Sequence, residues 1–175
     1  MNKAIFESMF INNDTTWGRV TSALTSEDDI GVVLRVHLIT EQMIEAFCCA
    51  ASGNAKFFEG FGESLTMSYA AKLKLASNFG LNKHSYDELK YVNKVRNARA
   101  HKIDNAALTE KEVSDLLKLI RSGGQEDEVD SKPFGLQVDG KSVYLNNPDN
   151  TSRETFLAIF GAIVLRVARQ INCVK

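Results

Sequence analysis

Residues 92–102 read VNKVRNARAHK, and we expect the fold to be organised around this run. Apolar side chains recur three and four positions apart through this run and the residue before it, at Tyr91, Val92, Val95 and, more weakly, Ala98. This spacing predicts a helix that packs one face and leaves its polar side chains to project elsewhere. The helix is expected to end just after the run, because Ile103-Asp104-Asn105 interrupts the pattern.

The polar side chains of interest in this run are Arg96, Asn97 and His101. An imidazole titrates near neutrality, a guanidinium matches the geometry of phosphate oxygens, and an amide can orient either of them. Together they predict a set that binds phosphate or cleaves a phosphodiester. The other interpretation is structural: a solvated basic face, with His101 near a helix C-terminus, where a cation is favoured by about 0.3–1 kcal/mol.

Helical geometry limits which of these three side chains can point in the same direction. An α-helix advances about 100° per residue, so Asn97 and His101 share a face, whereas Arg96 and His101 diverge by roughly 140°. One rigid helix therefore cannot direct both cationic side chains at one phosphate. We expect either that the helix frays near His101 or that a second copy of the run faces the first in a homodimer.

The composition is that of an ordinary globular protein. A chain of 175 residues is expected to form one domain, 1–175, and to bury about 70% of its extended surface. Its 44% hydrophobic and 25% charged residues exclude the disordered and collagen-like classes. The formal net charge of −1 requires any polyanion site to be a local patch. The run from 83 to 102 supplies such a patch, with Lys83, Lys90, Lys94, Arg96, Arg99 and Lys102.

The cysteines predict neither a disulfide framework nor a metal site. There are three, Cys48, Cys49 and Cys173, and none lies in a Cys-x-x-Cys pair or beside histidines at zinc spacing. We therefore expect no cofactor and no metal, in a reduced cytoplasm. The amino terminus lacks a signal-peptide pattern, and no apolar run reaches the roughly 18 residues of a membrane span, so no membrane partner is expected.

A long helix is predicted to begin at the capping pattern formed by Ser26 and Asp29. It carries Glu41 and Glu45, which lie four residues apart on one face and repel each other. A basic partner such as Arg96 would relieve this repulsion. The other interpretation is that both glutamates are solvated.

The remaining patterns complete the fold class. Further helices are predicted over 67–79, from the capping box Ser85–Glu88 through the basic run, from Thr109 to Arg121, and from Thr151 towards the C-terminus. An acidic mobile loop is predicted at about 123–132, and residues 134–145 alternate around Asp-Gly as a β-hairpin does. The sequence thus predicts an all-α bundle of about six to seven helices, with one small β-hairpin before the C-terminal helix.

The pair Arg96-Asn97 followed by His101 resembles the motif of the HEPN superfamily. That motif is an arginine, then a polar residue that is often asparagine, then a histidine after four to six intervening positions. The order of helices also resembles the mannitol-repressor family, an all-helical group whose equivalent run lacks the Arg-Asn pairing. The two likenesses cover roughly residues 29–121.

The HEPN resemblance implies a metal-independent endoribonuclease that serves as a toxin or effector in antiviral defence and toxin–antitoxin systems. The 2′-hydroxyl of the RNA would attack the adjacent phosphorus, with His101 as general acid or base. Arg96 would hold the non-bridging oxygens, and Asn97 would orient the imidazole or the phosphate. Flanking phosphates would be held by Lys94, Arg99 and Lys102. The implied partners are RNA, a second copy of the chain, and a cognate antitoxin or regulatory protein.

The mannitol-repressor resemblance implies a different class of protein. The same residues would then cap helices and hold the fold or the dimer of a non-catalytic transcription-regulatory or protein-interaction module. The near-neutral charge and the lack of an obvious base-reading helix favour this interpretation. The Arg-Asn-His arrangement favours the nuclease, because a purely structural module has no evident need for it.

Overall fold

The computed structural model describes residues 1–59, 66–100, 107–123, 135–138 and 140–173. In these ranges the chain forms seven α-helices and one two-stranded antiparallel hairpin that precedes the last helix, which confirms the predicted fold class. The elements are α1 (Lys3–Phe6), which continues into a π-helical turn (Glu7–Ile11), α2 (Asp14–Leu24), α3 (Asp29–Ser52), α4 (Tyr69–Asn78), α5 (Lys83–Ala100), α6 (Glu110–Gly123), β1 (Gly135–Val138), β2 (Lys141–Tyr144) and α7 (Ser152–Cys173). None of the helices in the described ranges is long and apolar enough to cross a membrane.

The centre of the bundle is α3, which contacts α1, α2, α4, α5 and α7. Its N-cap is Asp28, whose side chain accepts a hydrogen bond from the Gly31 amide, so the predicted cap at Ser26 is two residues too early. The helix ends at Gly53, which has φ +71°, a left-handed conformation that suits glycine. Between these ends most side chains are buried, because the apolar stripe is wide enough to serve neighbours on several sides.

Residues 92–100 of the basic run form the second half of α5, which packs against α3, α4, α6 and α7. Leu89, Val92 and Val95 face the core and are at most 2% exposed. The helix begins at Lys83, and the Asn82 side chain accepts a hydrogen bond from the Ser85 amide at 2.8 Å. The predicted capping box at Ser85 and Glu88 is therefore wrong. Both residues lie within the helix, and their side chains are buried.

The hairpin forms where the alternating pattern predicts it. Gly135 pairs with Tyr144 and Val138 with Lys141, and Gly140 takes the left-handed conformation of a tight turn, with φ +78°. The hairpin packs on α7, where Gly135 and Leu136 of β1 lie close to Gly161. Most of the acidic segment predicted as a mobile loop, residues 124–132, lies outside the described residues.

Candidate nucleic-acid interface

The arginine and the asparagine of the predicted motif lie together near the C-terminal end of α5. Asn97 is exposed and Arg96 is partly buried. Nη1 of Arg96 donates a hydrogen bond to Oδ1 of Asn97 over 3.1 Å. The amide therefore orients the guanidinium, a contact that the sequence did not indicate. His101 and Lys102 directly follow α5 and lie outside the described residues.

The Arg96 guanidinium keeps donors for a ligand. Its Nε is buried and has no hydrogen-bond partner in the part of the chain that the structure describes. This Nε is shielded from solvent, so an anion would bind the N–H groups of the terminal guanidinium nitrogens that Asn97 does not use. Arginine binds phosphate more tightly than lysine does, because its planar group offers two parallel donors.

Arg99 does not face solvent, contrary to the expectation that it holds a flanking phosphate. Its side chain is 4% exposed and forms a 2.7 Å ion pair with Glu112 of α6. The same guanidinium donates to the carbonyl groups of Val95 and Ala107. Burial opposes ionisation of Glu112, but the hydrogen bonds from Arg99 and Thr109 outweigh it and lower the pKa of Glu112 to about 2. Arg99 thus ties α5 to the start of α6.

Lys94, by contrast, is exposed and lines a shallow surface hollow of about 430 Å³ on α5. Its ammonium lies 5.1 Å from the centre of the Tyr91 ring, a cation–π contact that holds the side chain over the hollow. The hollow is lined by Asp87, Lys90, Tyr91, Asn93, Lys94 and Asn97. It therefore adjoins the Arg96–Asn97 pair directly.

A histidine of α3 lies behind this hollow. Nε2 of His37 is 3.0 Å from Oδ1 of Asn93, and the ring stacks on Tyr69 with 4.4 Å between centroids. Burial lowers the pKa of His37, and the positive charges of Arg96 and Lys72 act in the same direction. These effects outweigh the hydrogen bond to Asn93 and the charge of Glu41, both of which raise the pKa. The neutral imidazole is favoured, so its Nε2–H can donate to the Asn93 oxygen.

The basic partner expected for Glu41 and Glu45 is present, but it is not Arg96. Nζ of Lys72 in α4 lies 2.7 Å from Glu41 and 2.5 Å from Glu45. Burial alone would lower the pKa of Lys72, but the two carboxylates outweigh it and raise the pKa. Packing of α4 on α3 brings this lysine between the glutamates, whereas Arg96 is engaged by Asn97. The two glutamates therefore support the α3–α4 contact.

The charged side chains that α5 exposes are mostly basic. The buried charges, Glu88 and Arg99, are each paired with a residue of another helix. On the exposed surface Asp87 is paired with Lys83 at 2.5 Å. The exposed lysines at 90 and 94, together with Arg96, leave a local positive patch on a protein of near-zero net charge. Such a patch attracts a polyanion over a short range.

The residues that the structure describes include no group of three or more His, Cys, Asp or Glu side chains arranged to hold a metal ion. Comparisons of the chain with protein-family models, with curated proteins and with solved structures find no significant match. The resemblance to the HEPN superfamily therefore stays a prediction, and the function is argued from the residues themselves.

Proposed function

We propose that this protein is a metal-independent endoribonuclease of the HEPN type, acting as a toxin or defence effector. The observation that carries the proposal is the Arg96–Asn97 pair, which lies near the C-terminal end of a basic helical face, and Asn97 is four residues before His101 in the sequence. Arginine, amide and imidazole are the groups that phosphodiester cleavage needs when no metal takes part.

The chemistry follows from these groups. His101 of one copy removes the proton from the 2′-hydroxyl, and the resulting oxygen attacks the adjacent phosphorus. Arg96 holds the non-bridging oxygens while negative charge builds on them. The bond to the 5′-oxygen breaks, and the imidazolium that the first step formed on His101 returns its proton to that oxygen. The products are a 2′,3′-cyclic phosphate and a 5′-hydroxyl.

A homodimer is the proposed assembly, because it would bring two copies of the motif to one cleft. The outer face of α3 offers an apolar contact for it: Leu34 and Leu38 lie one helical turn apart and are 38% and 50% exposed. His37, next to Leu38, contacts Asn93 of α5. Leu38 itself lines a surface hollow with Arg19 of α2 and Lys72 of α4, one residue along α3 from that contact.

The proposal is tested by incubating the purified protein with single-stranded RNA in the presence of EDTA. We expect cleavage, a loss of about 100-fold or more in rate for His101→Ala, and a loss of about 100- to 1,000-fold for Arg96→Ala. Lys56→Ala, on the loop after α3, is the matched control and should cleave normally. Full activity of His101→Ala would reject His101 as the catalyst.

The second candidate is a non-catalytic regulatory or protein-interaction module. The internal ion pair of Arg99 with Glu112 favours it, because part of the basic run serves the fold. This candidate predicts that the wild-type protein leaves RNA intact under the same conditions. A neighbouring antitoxin or nucleotidyltransferase gene would favour the nuclease, and neighbouring sugar-transport genes would favour the regulator.

A further inference from the structure

The exposed face of α5 extends away from the Arg96–Asn97 pair as the hollow described above. We infer that this hollow binds the unpaired nucleotides that flank the cleaved phosphate, and that His37 positions Asn93 there as a hydrogen-bond donor. The inference rests on the proposed function, because it assigns the path of the same RNA strand. Lys90, Asn93 and His37 thereby gain a role that the motif alone does not give them.

The cations of the hollow suit a strand of phosphates. Lys90 and Lys94 are both exposed and lie one turn apart, about 6 Å along the helix axis. This separation is comparable to that of neighbouring phosphates in a single strand. The carboxylate at Asp87, the one acidic group that lines the hollow, is already paired with Lys83. It therefore opposes a bound phosphate only weakly.

The two carboxamides of the hollow are turned into donors by their neighbours. Oδ1 of Asn97 accepts from Arg96, and Oδ1 of Asn93 lies 3.0 Å from Nε2 of His37. Each amide oxygen already has one donor within the protein, so each amide offers a ligand mainly its N–H groups. The lysines only donate. The polar surface of the hollow therefore matches acceptors, such as phosphate oxygens and the carbonyl oxygens of unpaired bases.

His37 is held firmly enough to act as a positioning residue. Its ring is 7% exposed and stacks on Tyr69, whose hydroxyl donates to Thr40 or to the Leu89 carbonyl. Thr40 in turn donates to the His37 carbonyl at 2.9 Å. This network fixes the ring between α3 and α5. Asn93 is thus held by a rigid partner and does not rotate freely.

The test is binding of a fluorescently labelled single-stranded RNA that is 2′-O-methylated, so that it lacks the nucleophile and stays intact. Lys90→Ala and Lys94→Ala are each expected to weaken binding about threefold or more and to reduce the slope of log Kd against log salt by about 1. Lys56→Ala is the control and should bind as the wild type does. The inference is overturned if the protein does not bind the RNA, which is the result expected of a hollow that binds a protein segment. It is also overturned if both lysine variants bind the RNA as tightly as the wild type.

The positioning role of His37 has its own test in the same assay. His37→Phe keeps a ring against Tyr69 but removes the donor, and it should weaken binding as much as Asn93→Ala does. The double variant should bind no more weakly than Asn93→Ala alone, because His37 acts through that amide. His37→Gln supplies an N–H at similar reach and should restore binding. Additive losses, or no rescue by glutamine, would contradict the role.

The inference and the proposed function can fail separately. An intact 2′-hydroxyl RNA that binds in the hollow but is never cleaved would contradict the nuclease and leave the strand path standing. The opposite result is cleavage that requires His101 and Arg96, with normal RNA binding by the variants at 90, 93 and 94. It would support the nuclease and contradict the strand path.

Discussion

At the scale of single residues, the contact between Arg99 and Glu112 connects α5 to the start of α6. The two side chains are 4% and 24% exposed, and Glu112 also accepts hydrogen bonds from the amide and hydroxyl groups of Thr109. Breaking a largely buried pair leaves an uncompensated charge, which costs far more than breaking a surface pair. Glu112 is therefore a point at which acid should weaken the fold.

We predict that the free energy of unfolding falls as the pH drops from about 4.5 towards 2. The pKa of Glu112 is about 2 in the folded protein, against an ordinary value of 4.5, so the unfolded chain takes up its proton first. Glu112→Gln should lose about 2 kcal/mol of stability at pH 7 and show a flatter acid dependence. Urea denaturation across this pH range measures both effects. Glu110→Gln, on the same helix, is the control, and an equal response from the two variants would contradict the prediction.

Sequence patterns predict which residues are polar or apolar at this scale, but not which way each one turns. Arg99 belongs to the same basic run as Lys94, yet it turns inward because an acidic partner from α6 lies there. The helical spacing of Trp17 with Val20 and Leu24 favours the core, but the indole is 42% exposed and donates to the Ile11 carbonyl. Both outcomes depend on neighbours that packing brings together and that local periodicity does not specify.

At the scale of secondary-structure elements, a buried ion pair fixes α5 against α7. The carboxylate of Glu88 is fully buried and pairs with Arg166, which also donates to the Ile120 carbonyl at the end of α6. One arginine therefore connects three helices. Such a pair adds little net stability over apolar residues of similar volume, but removing one partner is costly.

We predict a strong coupling between the two residues in a double-mutant cycle. Glu88→Gln and Arg166→Met should each lower the free energy of unfolding by about 3 kcal/mol or more. The double variant should lose clearly less than the sum, because neither charge is then left alone in the interior. Urea denaturation of the four proteins gives the cycle, and additive losses would show that the pair is not coupled.

Of the capping boxes predicted before the helices of the second half of the chain, two mark a helix start and one does not. Glu112 accepts from Thr109, and Glu154 accepts from Thr151, as the predicted boxes require. The pattern at Ser85 and Glu88 has the same residue types but lies inside α5, which begins earlier with Asn82 as its cap. A serine and a glutamate three residues apart predict a helix start only where the serine lies before the helix. Here both residues lie within the helix, and their side chains are buried.

At the scale of the whole molecule, the proposed site depends on two copies of the chain. We predict that Leu38→Asp yields a monomer at micromolar concentration, because it places a charge in the proposed apolar contact of α3. Leu38 is 50% exposed, so the substitution should leave the free energy of unfolding of the monomer nearly unchanged. Light scattering gives the mass, with Tyr144→Asp in β2 as the matched exposed control. A wild-type protein that is already monomeric would contradict the dimer.

A composite site also predicts complementation between two inactive variants. Mixing Arg96→Ala with His101→Ala should restore up to about a quarter of the wild-type rate, since half of the dimers are mixed and each keeps one intact arginine and histidine pair. The RNA cleavage rate in EDTA, measured after subunit exchange, tests this directly. If the subunits exchange but activity does not return, then both residues of a working site come from the same copy, which contradicts the composite site.

The bundle and its hairpin were predictable because both depend on local periodicity and turn residues. The surroundings of the site were not. Lys72 reaches Glu41 and Glu45 from about 30 positions along the chain, and His37 reaches Asn93 from 56. These contacts are set by how α3, α4 and α5 pack, which no spacing within one helix specifies.

In the proposed reaction the 2′-hydroxyl of the RNA is the nucleophile, and His101 and Arg96 assist its attack without a metal. The chemical nature of the new ends, determined by mass spectrometry of a short RNA digested in EDTA, tests it most directly. We predict a 2′,3′-cyclic phosphate on one fragment and a 5′-hydroxyl on the other, with both fragments formed at least about 100-fold more slowly by His101→Ala. A 3′-hydroxyl and a 5′-phosphate, or no cleavage by the wild-type protein, would contradict it.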